Sequence, residues 1–126
     1  MRDLDAAAVA LALGDTALAT AVASRIYGGD APPKGYDPSA GGAVCLKSRG
    51  GPVRYDPIID VSIQAKCYGP TAVDAWQTYQ LTFNALHEKS NGVVAWSRSE
   101  VVGQRFTEPT TKREYVLAYF RMLVRP

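Results

Sequence analysis

The sequence is short of almost everything that catalysis would need. It holds one histidine, His87, and two cysteines, Cys45 and Cys67, 22 positions apart and in no C-x-x-C pair. Metal centres draw on clusters of His, Cys and carboxylate ligands at set spacings, and no such cluster is legible here. A Ser/His/Asp or Cys/His arrangement would have to use His87, and no G-x-S-x-G elbow accompanies it. Neither G-x-x-x-x-G-K-[ST] nor G-x-G-x-x-G occurs, so the glycine pairs read as turns rather than phosphate cradles. Asp56 and Asp60 flank the start of a strand, where exposed carboxylates are ordinarily solvated. No metal, cofactor or catalytic residue is expected.

A charge excess is missing as well. The formal net charge is +2, too small for the clustered basic field of a nucleic-acid reader. Long apolar runs are absent: Ala6–Leu13 is too short to span a bilayer, and the preceding Asp3 and Asp5 spoil the basic start of a secretory signal. The sequence reads as cytosolic, and its cysteines as reduced, buried, small apolar residues.

What is present is an ordinary globular composition, 47% hydrophobic and 21% charged over 126 residues, which fits a single domain spanning 1–126. Leu4–Tyr27 is alanine-rich and helical in propensity, interrupted at Gly14, with Asp15 placed to cap a second piece through Ser24. Leu18, Val22 and Ile26 recur at spacing four and form one apolar stripe. Residues 28–42 are rich in glycine and proline without apolar period, a long loop expected to order against a neighbour. Ala43–Arg49 reads as a strand, and Gly50-Gly51-Pro52 as a hairpin connection.

In Ile58–Tyr68, Val61, Ile63, Ala65 and Cys67 alternate with Asp60, Ser62, Gln64 and Lys66, the pattern of a strand wet on one side. Thr71 and Asp74 resemble a capping box opening a helix to about Lys89. Its stripe is Ala72, Ala75, Trp76, Tyr79, Phe83 and Leu86. His87 and Lys89 fall in its last turn, and Asn91-Gly92 stops it. Val93–Val102 reads as a strand, 103–111 as a polar loop, and Lys112–Arg125 as a closing strand. In that last strand Tyr115, Leu117, Tyr119 and Leu123 make an apolar second face, to be covered by the first helix or by another subunit. The order predicts an α+β domain, a mostly antiparallel sheet of about four strands packed with two or three helices.

Basic residues gather at two loops: Lys47, Arg49 and Arg54 at the first hairpin, and Arg105, Lys112 and Arg113 at the second. Solvated charges are the plain reading. The sharper one makes them rim contacts to acidic surfaces of partner subunits.

Several stretches carry a resemblance that covers nearly the whole chain. They are the opening helix running into Arg25-Ile26-Tyr27 with Ala31-Pro32 beyond, and Asp60–Tyr68 leading into Thr71-Ala72-Val73-Asp74-Ala75. The long helix ending near Ala85-Leu86-His87 and the closing Val124-Arg125-Pro126 complete them. In this order they resemble the tail terminator and tail completion proteins of long-tailed phages. The stretch between Gly35 and Ala43 departs from that family's more apolar pattern.

The resemblance implies helices packed on a sheet, a homo-hexameric ring, and no catalysis. Such a ring docks on the last ring of tail tube protein, stops tube growth, and offers its other face to the head–tail connector protein. It implies a place in the virion tail or neck after assembly in the host cytoplasm, with no membrane and no sequence-specific nucleic acid, though with room for DNA to pass through the bore. Two other readings stay open: another neck component, a head completion or connector protein, and a small monomeric enzyme or binding protein.

Overall fold

A computed structural model describes residues 2–49 and 58–126. The expected hairpin at Gly50–Pro52 and Arg54 lie outside the described residues. Among the described residues three α-helices, α1 (Leu4–Leu13), α2 (Thr16–Ala21) and α3 (Ala72–Leu86), and a short 3-10 helix at Pro38–Ala40 capped by Asp37 accompany five strands: β1 (Ile26–Gly28), β2 (Ala43–Ser48), β3 (Ile59–Gly69), β4 (Val94–Thr107) and β5 (Glu114–Val124). The strands form one sheet in the order β1-β2-β3-β5-β4. Among the described strands only the β1–β2 pairing is parallel. The α+β class holds, with one strand more than expected.

That strand is β1. Ile26 continues the spacing of Leu18 and Val22, and all three are buried, so the apolar stripe is real. The helix itself ends earlier. Val22 leaves helical geometry, and Ala23 and Ser24 take positive φ of 49° and 61°. This left-handed turn redirects the chain, and Ile26 pairs with Val44 instead of completing a turn of helix.

Helix starts follow the sequence signals. Asp3 and Asp15 accept from the backbone amides of Ala6 and Leu18, filling donors that a helix leaves unpaired. Thr71 Oγ1 accepts from the Asp74 amide and donates to the Asp74 carboxylate at 2.9 Å, so the box closes between side chains. At the other end α3 stops at Leu86, three residues short of expectation. His87 is its cap, extended at φ −75° and ψ 125°, and Lys89 instead pairs with Ser97 beside β4.

All three α-helices lie on one face of the sheet. Ala7, Ala8, Leu11, Leu18, Ala75, Tyr79 and Leu86 share a core with Val44, Leu46, Val61, Ile63, Ala65 and Cys67, and with the β5 residues Val116, Ala118, Phe120, Met122 and Val124. On α3 the inward face is centred on Ala75, Thr78, Tyr79, Thr82, Ala85 and Leu86, whereas Trp76 and Phe83 are half-buried at its flank. The first helix therefore does not cover the sheet's second face, as the simpler expectation had it. Among the described residues that face carries no α-helix.

The glycine- and proline-rich loop is part of the fold. Tyr36, 8% exposed, packs edge-on against Tyr68 at 6.1 Å, and its hydroxyl donates to the Gly41 carbonyl. Arg25 reaches back from the loop's start to donate to the carbonyls of Gly42 and Ala40. Gly41, at φ 130°, lies so close to the Arg25 guanidinium that a side chain there would collide with it.

Both cysteines are free and buried, on opposite faces of the sheet, and burial pushes each thiol up to about 12. Native protein should therefore resist thiol-directed alkylation at neutral pH, while denatured protein reacts at both positions. Rapid labelling of the native state, read by intact mass, would contradict this packing.

Candidate interaction surface

The surface that could carry a function is the helix-free face of the sheet. Side chains alternate across a strand, so burying Val116, Ala118, Phe120, Met122 and Val124 under the helices turns Tyr115, Leu117, Tyr119, Arg121 and Leu123 the other way. Register then decides their neighbours. Tyr119 stands opposite Gln64 and Val101, Leu117 opposite Lys66 and Gln104, Leu123 opposite Asp60 and Trp96, and Tyr115 opposite Tyr68 and Phe106.

The face has two unlike ends. Where the loop crosses, Tyr36, Ala43, Cys45 and Tyr68 form a small second core, with Tyr27 and Tyr115 packed against it. Phe106 stacks on Tyr115 at 5.7 Å. Tyr68 donates to the Glu108 carboxylate at 2.7 Å, and Arg113 donates to the Tyr36 carbonyl at 3.2 Å while lying over its ring. Asp30 accepts from Gln64 and pairs with Lys66. The loop and the β4–β5 turn are thus clamped together across the sheet.

Two carboxylates in this clamp are tuned against protonation. Burial pulls Glu108 up, but hydrogen bonds from Thr111 and Tyr68 outweigh it, and the carboxyl sits below its ordinary 4.5. Hydrogen bonds from Gln64 and Lys66 hold Asp30 below its ordinary 3.8. With folded values below the unfolded ones, the unfolded chain binds more protons in this window. Stability from these groups is complete above about pH 4.5 and falls as pH drops through the lowered folded values. Glu108→Gln should flatten the acid side of a plot of melting temperature against pH; an unchanged slope would remove Glu108 from the clamp.

The far end has no such clamp among the described residues. Arg121 makes a two-pronged pair with Asp60, at 2.7 and 3.0 Å, and a further bond to Glu100 at 3.1 Å, which also accepts from Ser62. Hydrogen bonds from Ser62 and Arg121 lower the Glu100 pKa. Trp96, Arg98, Asp60, Arg121 and Leu123 line a shallow hollow of about 220 Å³. Beside it Arg49 lies over the Tyr119 ring at 4.4 Å. Trp96, Val101 and Phe106 are exposed at 42%, 44% and 41%.

The basic residues singled out from the sequence occupy separate places. Lys47 and Arg49 border the open end of the bare face, and Arg49 donates its backbone amide to Ser62. Arg113 belongs to the clamp at the opposite end. Lys112 is exposed in the β4–β5 turn at φ 60°. Arg105 pairs in register with Val116 and stacks over Trp76 at 5.3 Å, which places it on the helix-covered side. The contributions of Trp96, Arg98 and Phe106 escape sequence reading, because β4 is mostly exposed and its register shifts three times. An expected polar loop at 103–111 is in fact strand up to Thr107.

His87 is occupied structurally. Its ring stacks on Phe83 at 4.6 Å, and its Nδ1 accepts from the Ser99 amide. Among the described residues no three His, Cys, Asp or Glu side chains converge as metal ligands would, and no helix is long and apolar enough to cross a membrane.

The class defined so far is an α+β domain with helices on one face of a five-stranded sheet and a bare aromatic and basic surface on the other. No protein-family model matches the chain, and no curated protein matches it in sequence. Among solved structures, a chain from the virion of a native gene transfer agent particle is similar to it, with a TM-score of 0.69, 20% identity, and coverage of 98% of this chain and 95% of that one. At that identity the likeness is one of fold.

Proposed function

We propose that this chain is a structural protein of a phage-type virion, a tail terminator that works as a ring and has no catalytic activity. The observation that carries the reading is the end-to-end correspondence of fold with a virion chain, since the match leaves almost nothing of either chain unpaired. The resemblance read from the sequence points to the same class independently of that match. The bare sheet face supports it: apolar and aromatic side chains lie exposed there as in surfaces built to be covered.

In this reading six copies close into a ring through two different patches on each subunit, as a rotationally closed heterologous contact requires. One rim of the ring caps the tail tube, and the other receives the head–tail connector protein. Lys47, Arg49, Arg54, Arg105, Lys112 and Arg113 are the contacts proposed to steer and register these meetings. The function is shape and complementarity rather than chemistry.

Solution mass by light scattering, paired with negative-stain images of the same sample, tests the ring. Uniform rings, or monomers that become rings on adding purified tail tubes, are the expected results. Monomers that neither close nor bind tubes would overturn the proposal.

A further inference from the structure

Resting on the tail reading, we infer that the open end of the bare sheet face is the docking surface for a neighbouring virion protein that presents acidic side chains around an aliphatic patch. The argument begins with charge. Lys47, Arg49 and Arg98 border this end, and none of them forms an ion pair with a described residue. The acidic groups nearby are committed, Asp60 and Glu100 to Arg121, and Asp30 to Lys66. Among the described residues the face carries more cations (Lys47, Arg49, Lys66, Arg98, Arg121) than carboxylates (Asp30, Asp60, Glu100) around an apolar floor of Leu117, Tyr119, Leu123 and Trp96.

A second copy of this chain is poorly suited to answer it. Meeting through this same surface, it would bring Lys47, Arg49 and Arg98 against their own copies, a like-charge contact. Asp3, Asp15, Asp37 and Asp74 are engaged at helix starts, and Asp5 accepts from the Ser48 amide. Glu88 approaches His87, Glu108 accepts from Tyr68, and Glu114 accepts from Thr107. Among the described residues these carboxylates are scattered and form no cluster of three that could serve as a matching acidic patch.

Single-stranded nucleic acid, which wants open aromatic faces on a basic surface, fits less well. Arg49 covers the Tyr119 ring, and Phe106 and Tyr115 cover each other. The occupant that matches is a protein with aliphatic side chains for the floor and carboxylates for the rim. In the hollow beside Trp96, Arg121 is taken up by Asp60 and Glu100, which leaves Arg98 to meet a carboxylate of the partner. Trp and Arg anchors in such hollows carry a disproportionate share of binding energy.

The test uses the intact protein and purified tail tubes, with binding followed by co-sedimentation at two salt concentrations. The variant R49E/R98E should bind at least about tenfold more weakly than wild type, and wild-type binding should weaken with salt. Reversal on the helix side, Arg105→Glu, should have the smaller effect. Unchanged folding of each variant is checked by its melting temperature.

If wild type binds tubes and R49E/R98E binds as well, the surface assignment is wrong while the tail reading stands. If wild type does not bind tubes at all, both fall. Two other results overturn the assignment by naming another occupant. One is loss of self-association in R49E/R98E with tube binding intact. The other is binding of a 30-nucleotide single strand that the variant abolishes while tube binding survives.

Discussion

Phe120→Ala lowers the free energy of unfolding by about 3–5 kcal/mol, the range for emptying a buried phenylalanine site. The position leaves little room to relax. Phe120 is fully buried in the middle of β5, between Ile63 on β3 and Ser99 on β4. Its ring points into the core beneath the helices, where backbone pairing on both sides keeps the sheet from closing over the gap. For a domain of this size the loss lowers the melting temperature by roughly 10–20 °C. Phe106→Ala is the control. That ring is 41% exposed on the bare face, and its removal should cost under about 1 kcal/mol by the usual scale of surface changes. Equal losses at the two sites would mean that the core lies elsewhere.

Gly69→Ala is the second large effect, about 1–3 kcal/mol or more, by a different mechanism. Gly69 closes β3, and only Pro70 and Thr71 separate it from α3. The helix start therefore folds back over the strand end. A methyl group on Gly69 would meet the backbone nitrogen of Ala75 and lie 2.6 Å from the carbonyl carbon of Asp74. Backbone cannot rotate away as a side chain can, so the helix must lift or the strand end must unpair. Gly92→Ala is the matched control, because nothing lies within 4 Å of the added atom. Chemical denaturation of both variants should show a clear drop for Gly69→Ala and almost none for Gly92→Ala. Similar midpoints would contradict the tight strand-to-helix joint.

The parts of this fold that could be read from the sequence are those governed by local pattern. Period-two alternation placed β3 and β5 to within two residues at each end, and side-chain oxygens at Asp15 and Thr71 marked two helix starts. What escaped depends on distant partners. Ile26–Gly28 becomes a strand only because β2 lies beside it, and a three-residue segment carries no period of its own. β4 continues to Thr107 because β5 pairs with it throughout, although its exposed outer residues read as loop. The loop at 28–42 looked unanchored, since its anchors, Arg25, Tyr68 and Arg113, come from three distant parts of the chain.

The candidate surface was half legible. The apolar second face of β5 is visible as alternation, but alternation does not say whether a helix or another subunit covers it. Helix placement decides that the helices lie on the opposite side. The sequence groups the basic residues by loop, and loops say little about faces. Arg49 and Arg105 are both basic residues near strand ends, yet one borders the bare face and the other stacks on α3. Only register separates them.

The most direct measurement of the central claim is tube growth itself. Purified tail tube protein is allowed to polymerise with and without this chain, and tube lengths and ends are recorded by electron microscopy. The account predicts that added protein halts elongation and leaves a ring at one end of each tube. Tubes that lengthen undisturbed, with bare ends at saturating protein, would contradict it.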